Sequence, residues 1–182
     1  YVQHLPGENT IELKQTGKTV LVRTRGFRAT FRIAEAEDFP LLPAVGNETG
    51  VSIDARLLCQ GVGDVVFAAA REEARPEIHS VYMAAEAGEL RLAATDSFRL
   101  AERVVPVGGM SGKFSLLLPL PTAQEVVRLF ATQASVQFVP QETLIMFRGE
   151  GVELSSRLLD ATYPDYQQII PQSSQTRVAV DR

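Results

Sequence analysis

Apolar and polar residues alternate in several short segments of the chain, and this period of two predicts β-strands. The N-terminal segment predicts three strands at residues 10–13 (TIEL), 19–22 (TVLV) and 27–33, separated by turns at Gly17 and Gly26. Residues 80–104 predict a hairpin and a third strand, with Ala87 and Gly88 at the first turn. Three more strands are predicted at residues 135–139, 143–147 and 152–159.

Two other segments have the period of a helix. In the first, Ser52 is expected to cap the helix and Asp54 to lie in its first turn, where negative charge is favoured. Its apolar face comprises Ile53, Leu57, Leu58, Val62, Val65, Val66 and Ala69. The second helix is expected to begin near Thr122, with Thr122 and Glu125 forming a capping box after Pro121. Its apolar face comprises Ala123, Val126, Val127 and Phe130.

The chain also resembles itself at a spacing of 124 or 125 residues. Residues 10–13 match 135–138, residues 19–22 match 143–146, and Phe39-Pro40 matches Tyr163-Pro164. Residues 34–50 are acidic and then rich in proline and glycine, which is typical of a linker. The repeat therefore predicts one unit at about residues 47–172, preceded by the second half of a similar unit and followed by the start of another, with a strand beginning at residues 177–180.

Charge restricts the classes of protein to which the chain can belong. It has 18 Lys and Arg residues against 22 Asp and Glu residues, a formal net charge of −4. Proteins that hold DNA by charge alone present a basic face, so this balance counts against a simple DNA-binding module. It does not count against a protein that holds DNA by enclosing it.

The cysteine count, the lengths of the apolar runs and the first residues exclude further classes of protein. The single cysteine, Cys59, excludes an internal disulfide and a cysteine-based metal site, and it suits a reducing cytoplasm. No stretch approaches the roughly 20 apolar residues of a membrane-spanning helix. The chain begins with Tyr1 rather than methionine and shows no secretory signal, so we expect a cut N-terminus and a cytoplasmic protein.

Two longer motifs resemble those of a known family. Residues 90–101 (LRLAATDSFRLA) are similar to the ATDxxRLA segment of the bacterial DNA polymerase III beta subunit, the sliding clamp. Residues 156–166 (SRLLDATYPDY), followed by Ile169, Ile170 and Pro171, are similar to its SKLxDGxFPDYxxxxP segment. Residues 27–40 resemble the end of its first domain. The resemblance covers essentially the whole chain in order.

The resemblance implies an α+β protein with the DNA-clamp fold, in which each repeat domain packs two helices on antiparallel sheets. Residues 1–45 would be the C-terminal part of the first domain, residues 46–172 the middle domain, and residues 173–182 the start of the third. The family forms homodimeric rings around duplex DNA and confers processivity on the replicative polymerase. It has no catalytic activity, cofactor or metal, and the fragment is not expected to close a ring.

The resemblance also implies a site for linear peptides that carry a glutamine followed by leucine and phenylalanine-like side chains. The replicative polymerase, the clamp loader and repair proteins present such peptides. Carried over by motif, the peptide site comprises Arg75, Ile78, Thr95, Ser97, Phe98, Arg99, Leu100, Pro164 and Ile169. Ser97 stands where the family usually has glycine, and Phe98 replaces a polar or tyrosine-like residue. From the residues alone, Ile78, Leu100 and Ile169 would more readily be core residues than a binding site, because apolar residues are most often buried.

Contacts to DNA phosphates would come from the helices and the nearby loop, and the candidates are Arg56, Arg71, Arg75 and Arg128. Glu72, Glu73 and Glu77 are interleaved with two of them, so a solvated charged loop is an equal alternative. Topological linkage makes tight phosphate contacts unnecessary in a ring.

Two other functions stay open at this stage. One is a stand-alone α+β domain that binds linear peptides and never encircles DNA. The other is a small hydrolase that uses His79, Ser80 or Ser97, and Asp96. No Gly-x-Ser-x-Gly elbow accompanies these residues, and Asp160 and Asp165 lack partners at a metal-binding spacing.

Overall fold

A computed structural model of the protein describes residues 2, 5, 10–34, 37, 50–108, 112–171, 173, 176 and 178–179. The chain divides into two units, Tyr1–Ala44 and Val45–Arg182. Most of the predicted linker and the corner at Phe39-Pro40 lie outside the described residues. So do Arg177 and Val180 of the predicted last strand, while residues 178–179 are not in a strand.

The first unit contains an antiparallel sheet of three strands, in the order β1-β2-β3. The strands are β1 (Glu12–Thr16), β2 (Thr19–Arg23) and β3 (Arg28–Arg32). Gly17, at φ +54°, turns β1 into β2. Leu13 pairs with Val22, and Val20 pairs with Phe31, so these side chains share one face. Leu13 is nevertheless 66% exposed, so this sheet leaves much of its apolar face uncovered.

The second unit repeats one pattern, a strand and a helix followed by three strands. The first copy is β4 (Val51–Asp54), α1 (Ala55–Val66), β5 (Ser80–Glu86), β6 (Glu89–Thr95) and β7 (Leu100–Pro106). The second is β8 (Phe114–Pro119), α2 (Leu120–Phe130), β9 (Ser135–Pro140), β10 (Leu144–Gly149) and β11 (Val152–Arg157). Each copy lends its first strand to the other's sheet, giving the orders β7-β6-β5-β8 and β11-β10-β9-β4.

The core lies where the two helices meet each other and the two sheets. Val62 and Val65 of α1, Val126 and Phe130 of α2, and Phe138 of β9 are among its buried side chains. Backbone hydrogen bonds at the helix starts tie the copies together. Ala55 N–H donates to the carbonyl of Ala134, and Leu120 N–H donates to the carbonyl of His79.

The predicted helix starts were wrong by a few residues. Ser52 lies in β4, and the capping residue is Asp54, whose Oδ1 accepts a hydrogen bond from Leu57 N–H at 3.1 Å. The second helix begins at Leu120 with Pro121 in its first turn, so Thr122 and Glu125 form no capping box. Thr122 Oγ1 instead shares a hydrogen bond with Ser156 Oγ at 2.8 Å.

Neither α1 nor α2, the helices in the described part of the chain, is long and apolar enough to cross a membrane.

Candidate functional site

The turn between β6 and β7 is held by a dense set of local hydrogen bonds. Asp96 Oδ1 accepts from the backbone N–H groups of Phe98 and Arg99, both at 3.0 Å, and its Oδ2 accepts from Arg99 Nε at 3.0 Å. Thr95 Oγ1 accepts from Ser97 N–H at 3.1 Å and donates to the Arg99 carbonyl at 2.8 Å. The backbone donors of Arg99 and Phe98, with the Arg99 guanidinium, hold the pKa of Asp96 below its ordinary value. The turn is therefore rigid before any ligand arrives.

This turn presents one aromatic side chain to solvent. Phe98 is 97% exposed, whereas Thr95 is buried and Leu100 is half-buried. The guanidinium of Arg99 lies 5.7 Å from the ring centre of Phe67, the residue that follows α1. A preorganised turn with an exposed aromatic ring is suited to bind an apolar side chain of a partner, because little conformational entropy is lost on binding.

The loop between α1 and β5 joins the turn through Arg75. Its Nη1 donates to Ser97 Oγ at 3.1 Å and its Nε donates to Glu77 Oε1 at 3.0 Å. Ile78 lies beside it, and its N–H donates to the Arg75 carbonyl. Ile78 is only 3% exposed, so it can offer a partner little surface unless the loop moves.

The chain after β11 brings the second motif to the same sheet. Tyr163 donates a hydrogen bond to the carbonyl of Ala93 in β6, at a long 3.5 Å, and its ring stacks on Tyr82 of β5 with centroids 5.1 Å apart. Residues Tyr166–Ile169 form a short 3-10 helix. Pro164 and Ile169 flank Tyr166 and are exposed, Ile169 by 69%. Both are therefore available to a partner.

A charged network anchors this corner. Tyr166 donates to Glu102 Oε1 at 2.7 Å, and the same oxygen accepts from Arg91 Nη1 at 2.9 Å. Partial burial alone would raise the pKa of Glu102, but the hydrogen bonds from Tyr166 and Arg91 outweigh it and hold the pKa below its ordinary value. Burial also raises the pKa of the Tyr166 hydroxyl. The carboxylate thus stays charged and the phenol stays neutral at physiological pH.

The predicted peptide residues form two groups. Hydrogen bonds link Arg75 to the turn that carries Thr95, Ser97, Phe98, Arg99 and Leu100. Pro164 and Ile169 belong to the corner, which Tyr163 ties to β6 two residues before Thr95. Sequence reasoning missed Tyr82, Tyr163, Tyr166 and Glu102. The sequence offers a signal only for Tyr82, an aromatic residue at an outward-facing position of β5 that another part of the chain must cover.

The predicted DNA contacts are less concentrated. Arg56 lies in the first turn of α1 and Arg71 lies in the loop after it, and both are exposed without an ion pair among the described residues. Arg128 on α2 pairs with Glu125 at 2.6 Å, and Arg75 pairs with Glu77. Half of the candidate cations are therefore neutralised locally.

The arrangement gives no support to the hydrolase alternative. His79 Nδ1 lies 2.8 Å from the Ala70 carbonyl, Ser80 Oγ donates to the Glu77 carbonyl, and Asp96 is occupied by the turn. Within the described ranges, no three His, Cys, Asp or Glu side chains stand close enough to hold a metal ion.

Replacing Ser97 with glycine is expected to stabilise the protein. Ser97 has φ +77°, a conformation that costs a non-glycine residue about 1 kcal/mol. Ser97→Gly should therefore raise the free energy of unfolding by about 0.5–1 kcal/mol despite the loss of the exposed Arg75 hydrogen bond. Urea denaturation measures the change.

The matched control is Ala87→Gly, because Ala87 has φ +53° in the turn between β5 and β6. It should stabilise the protein to a similar extent. A loss of stability in Ser97→Gly alone would mean that the Arg75 contact outweighs the backbone strain.

The comparisons with known proteins agree with the two motifs. Residues 52–165 match the family model described as DNA polymerase III beta subunit, central domain. The chain is similar to the beta sliding clamp of Bacillus subtilis (strain 168), with 30% identity over 94% of the chain and 46% of that protein. It is 27% identical to the beta sliding clamp of Streptococcus pneumoniae TIGR4, over 97% of the chain and 47% of that protein. The chain thus spans about half the length of the curated relatives it matches.

Solved structures give the same result. The crystal structure of the DNA polymerase sliding clamp from Bacillus subtilis matches with a TM-score of 0.82 and 29% identity, over 95% of this chain and 46% of that chain. The DNA polymerase III beta subunit from Thermotoga maritima matches with a TM-score of 0.77 and 27% identity, over 90% and 45%. The predicted α+β clamp fold is confirmed.

Proposed function

Because the chain belongs to the DNA polymerase III beta subunit family, we propose that it is part of a sliding clamp that encircles duplex DNA and confers processivity on a replicative polymerase. Residues 1–45 would close the first domain, residues 46–172 form the middle domain, and residues 173–182 begin the third. The protein would act in the cytoplasm as a binding scaffold with no chemistry of its own. The observation that supports this proposal most directly is the match of residues 52–165 to the family's central domain.

The proposed partners are linear peptides of the replicative polymerase, the clamp loader and repair proteins. Their leucine and phenylalanine side chains would contact Phe98, Leu100, Pro164 and Ile169, and Thr95, Ser97 and the two arginines Arg75 and Arg99 would fix the peptide's orientation. The preformed turn at Asp96 supports this proposal, since it lowers the ordering cost of binding. Ile78 would support the floor of the site from below, because it is buried.

DNA would be held mainly by enclosure. Among the four candidates, Arg56 and Arg71 would attract phosphates most, and Arg75 and Arg128 would contribute less because carboxylates already pair with them. Weak, sequence-independent attraction of this kind permits sliding. A full-length homodimer would form the ring. We expect this chain alone not to close one.

Truncating Ile169 tests the peptide site. Ile169→Ala should weaken the binding of a Gln-Leu-x-Leu-Phe peptide to the 182-residue chain by about ten-fold, which corresponds to ~1.4 kcal/mol. The side chain is largely exposed in the free protein, so stability should change little. Fluorescence anisotropy of a labelled peptide measures the affinity.

Ile11→Ala is the matched control, because Ile11 is an exposed isoleucine of the other unit. It should leave the affinity unchanged. Equal losses in both variants, or no binding by the wild-type chain, would contradict the proposed site.

The alternatives differ in what the full-length gene product does with circular DNA. A clamp should be loaded by a clamp loader and should stay on closed circles but slide off linearised ones. A stand-alone peptide-binding domain would bind the peptide and show no such difference. A hydrolytic activity lost in His79→Ala would favour the hydrolase.

A further inference from the structure

We propose that Tyr166, Glu102 and Arg91 are positioning residues of the peptide site, which hold the corner at residues 163–169 on the outer face of β5, β6 and β7. In this way they would set where Pro164 and Ile169 stand relative to the turn at Asp96. The inference rests on the proposed function, because it concerns the geometry of that site.

Tyr166 is buried and attaches the corner to the sheet. Residues 164–170 are all described, and Tyr166 is the one buried among them, with 5% of its surface exposed. Its hydroxyl meets Glu102 on β7, and Glu102 in turn meets Arg91 on β6. One short contact thus ties the corner to two strands of the sheet. Hydrogen bonds to a charged group are stronger than those between neutral groups. The hydrogen bond from Tyr166 to the Glu102 carboxylate therefore restrains the corner strongly.

The aromatic rings add a second restraint. Tyr82, Tyr163 and Tyr166 contact one another in all three combinations, with centroids 5.1, 6.1 and 6.1 Å apart. Ala93 lies opposite Tyr82 in the sheet. Its side chain is small, which leaves room for the Tyr163 hydroxyl to reach the Ala93 carbonyl. Stacked and edge-to-face pairs of this kind fix the orientation of rings as well as burying them.

The corner has little other support. The chain before the corner is tied to β8 by the hydrogen bond from Leu159 N–H to the Leu117 carbonyl, and a cavity of about 390 Å³ beside it is lined by Tyr82, Leu117 and Tyr163. A second cavity of about 370 Å³ is lined by Tyr82, Arg91 and Gln167. The corner is therefore attached at the tyrosines and at Glu102 rather than along its length. Loosening these contacts should move Pro164 and Ile169 without disturbing the main core, to which none of the three tyrosines belongs.

The test is the affinity of the 182-residue chain for the Gln-Leu-x-Leu-Phe peptide, measured by fluorescence anisotropy. Tyr166→Phe keeps the ring and removes the hydroxyl, and we expect about five-fold weaker binding. Glu102→Gln keeps an acceptor for Tyr166 but loses the charge, and should weaken binding less than Glu102→Ala. Glu153→Gln is the matched control, since Glu153 pairs with Arg148 at 3.0 Å across neighbouring strands of the other sheet, away from the corner. It should bind like the wild type.

A double-mutant cycle separates positioning from general stability. If Tyr166 acts through Ile169, Tyr166→Phe should have a much smaller effect in the Ile169→Ala background. Additive effects, or unchanged affinity in Tyr166→Phe, would overturn the inference while leaving the peptide site intact. If the wild-type chain binds no peptide, the proposed function itself fails, and the positioning role fails with it.

Discussion

Phe138→Ala is expected to lower the free energy of unfolding by about 3–5 kcal/mol, the usual cost of removing a fully buried phenylalanine ring. Phe138 is 0% exposed at the centre of β9. Its ring lies 6.0 Å from Phe114 of β8 and 6.4 Å from Phe147 of β10, so it joins the two sheets of the second unit. Alanine would lose these aromatic contacts and leave a cavity that the neighbours on β8 and β10 cannot easily fill.

Urea denaturation followed by circular dichroism measures this change. Phe98→Ala is the matched control, because Phe98 is 97% exposed and should alter stability by less than about 0.5 kcal/mol. Similar losses in the two variants would mean that the junction of the two sheets does not depend on Phe138.

Strands joined by short turns could be predicted from the sequence alone. The hairpin of β5 and β6 follows from alternation and from Ala87 and Gly88, both of which have positive φ in the structure. The internal repeat could also be predicted, because it consists of strands joined by short turns. Strands β1, β2 and β3 begin at residues 12, 19 and 28, and their counterparts β9, β10 and β11 begin at residues 135, 144 and 152, in meanders of the same order.

The strands β4 and β8 were not predicted, because both are defined by distant partners. Ile53 fits the apolar face of a helix as well as it fits a strand, and only its pairing with Val136 decides between them. In β8, Leu116, Leu117 and Leu118 are all buried, so the strand shows no alternation. Leu117 faces away from the core, and its carbonyl accepts a hydrogen bond from Leu159 N–H.

In the candidate site, too, local contacts could be predicted from the sequence and long-range contacts could not. Its turn residues came from the resemblance of a contiguous motif, and their mutual hydrogen bonds span at most four residues of sequence. The support of the corner spans much longer separations, such as Tyr166 to Glu102 and Tyr163 to Ala93. Side chains that cooperate over such distances leave no periodic signal, so the positioning residues became visible only in the folded chain.

Gly61 and Gly63 of α1 both weaken the helix by propensity, but alanine is expected to have opposite effects at the two positions. A Cβ at Gly61 would stand 2.8 Å from Leu92 Cδ1 and 3.3 Å from Val105 Cγ1. Leu92 is 0% exposed and Val105 is 1% exposed, so neither can move aside freely. Gly61→Ala should therefore lower the free energy of unfolding by about 1–3 kcal/mol, the usual cost of overpacking, even after the gain in helix propensity.

Gly63 is the matched control in the same helix. A Cβ there meets nothing within 4 Å, and Gly63→Ala should raise the free energy of unfolding by about 0.5–1 kcal/mol. Urea denaturation of both variants measures the difference. If Gly61→Ala were as stabilising as Gly63→Ala, α1 could not lie as close to β6 and β7 as described. Opposite signs would show that Gly61 allows the helix to approach the sheet, whereas Gly63 lies on the exposed face of α1.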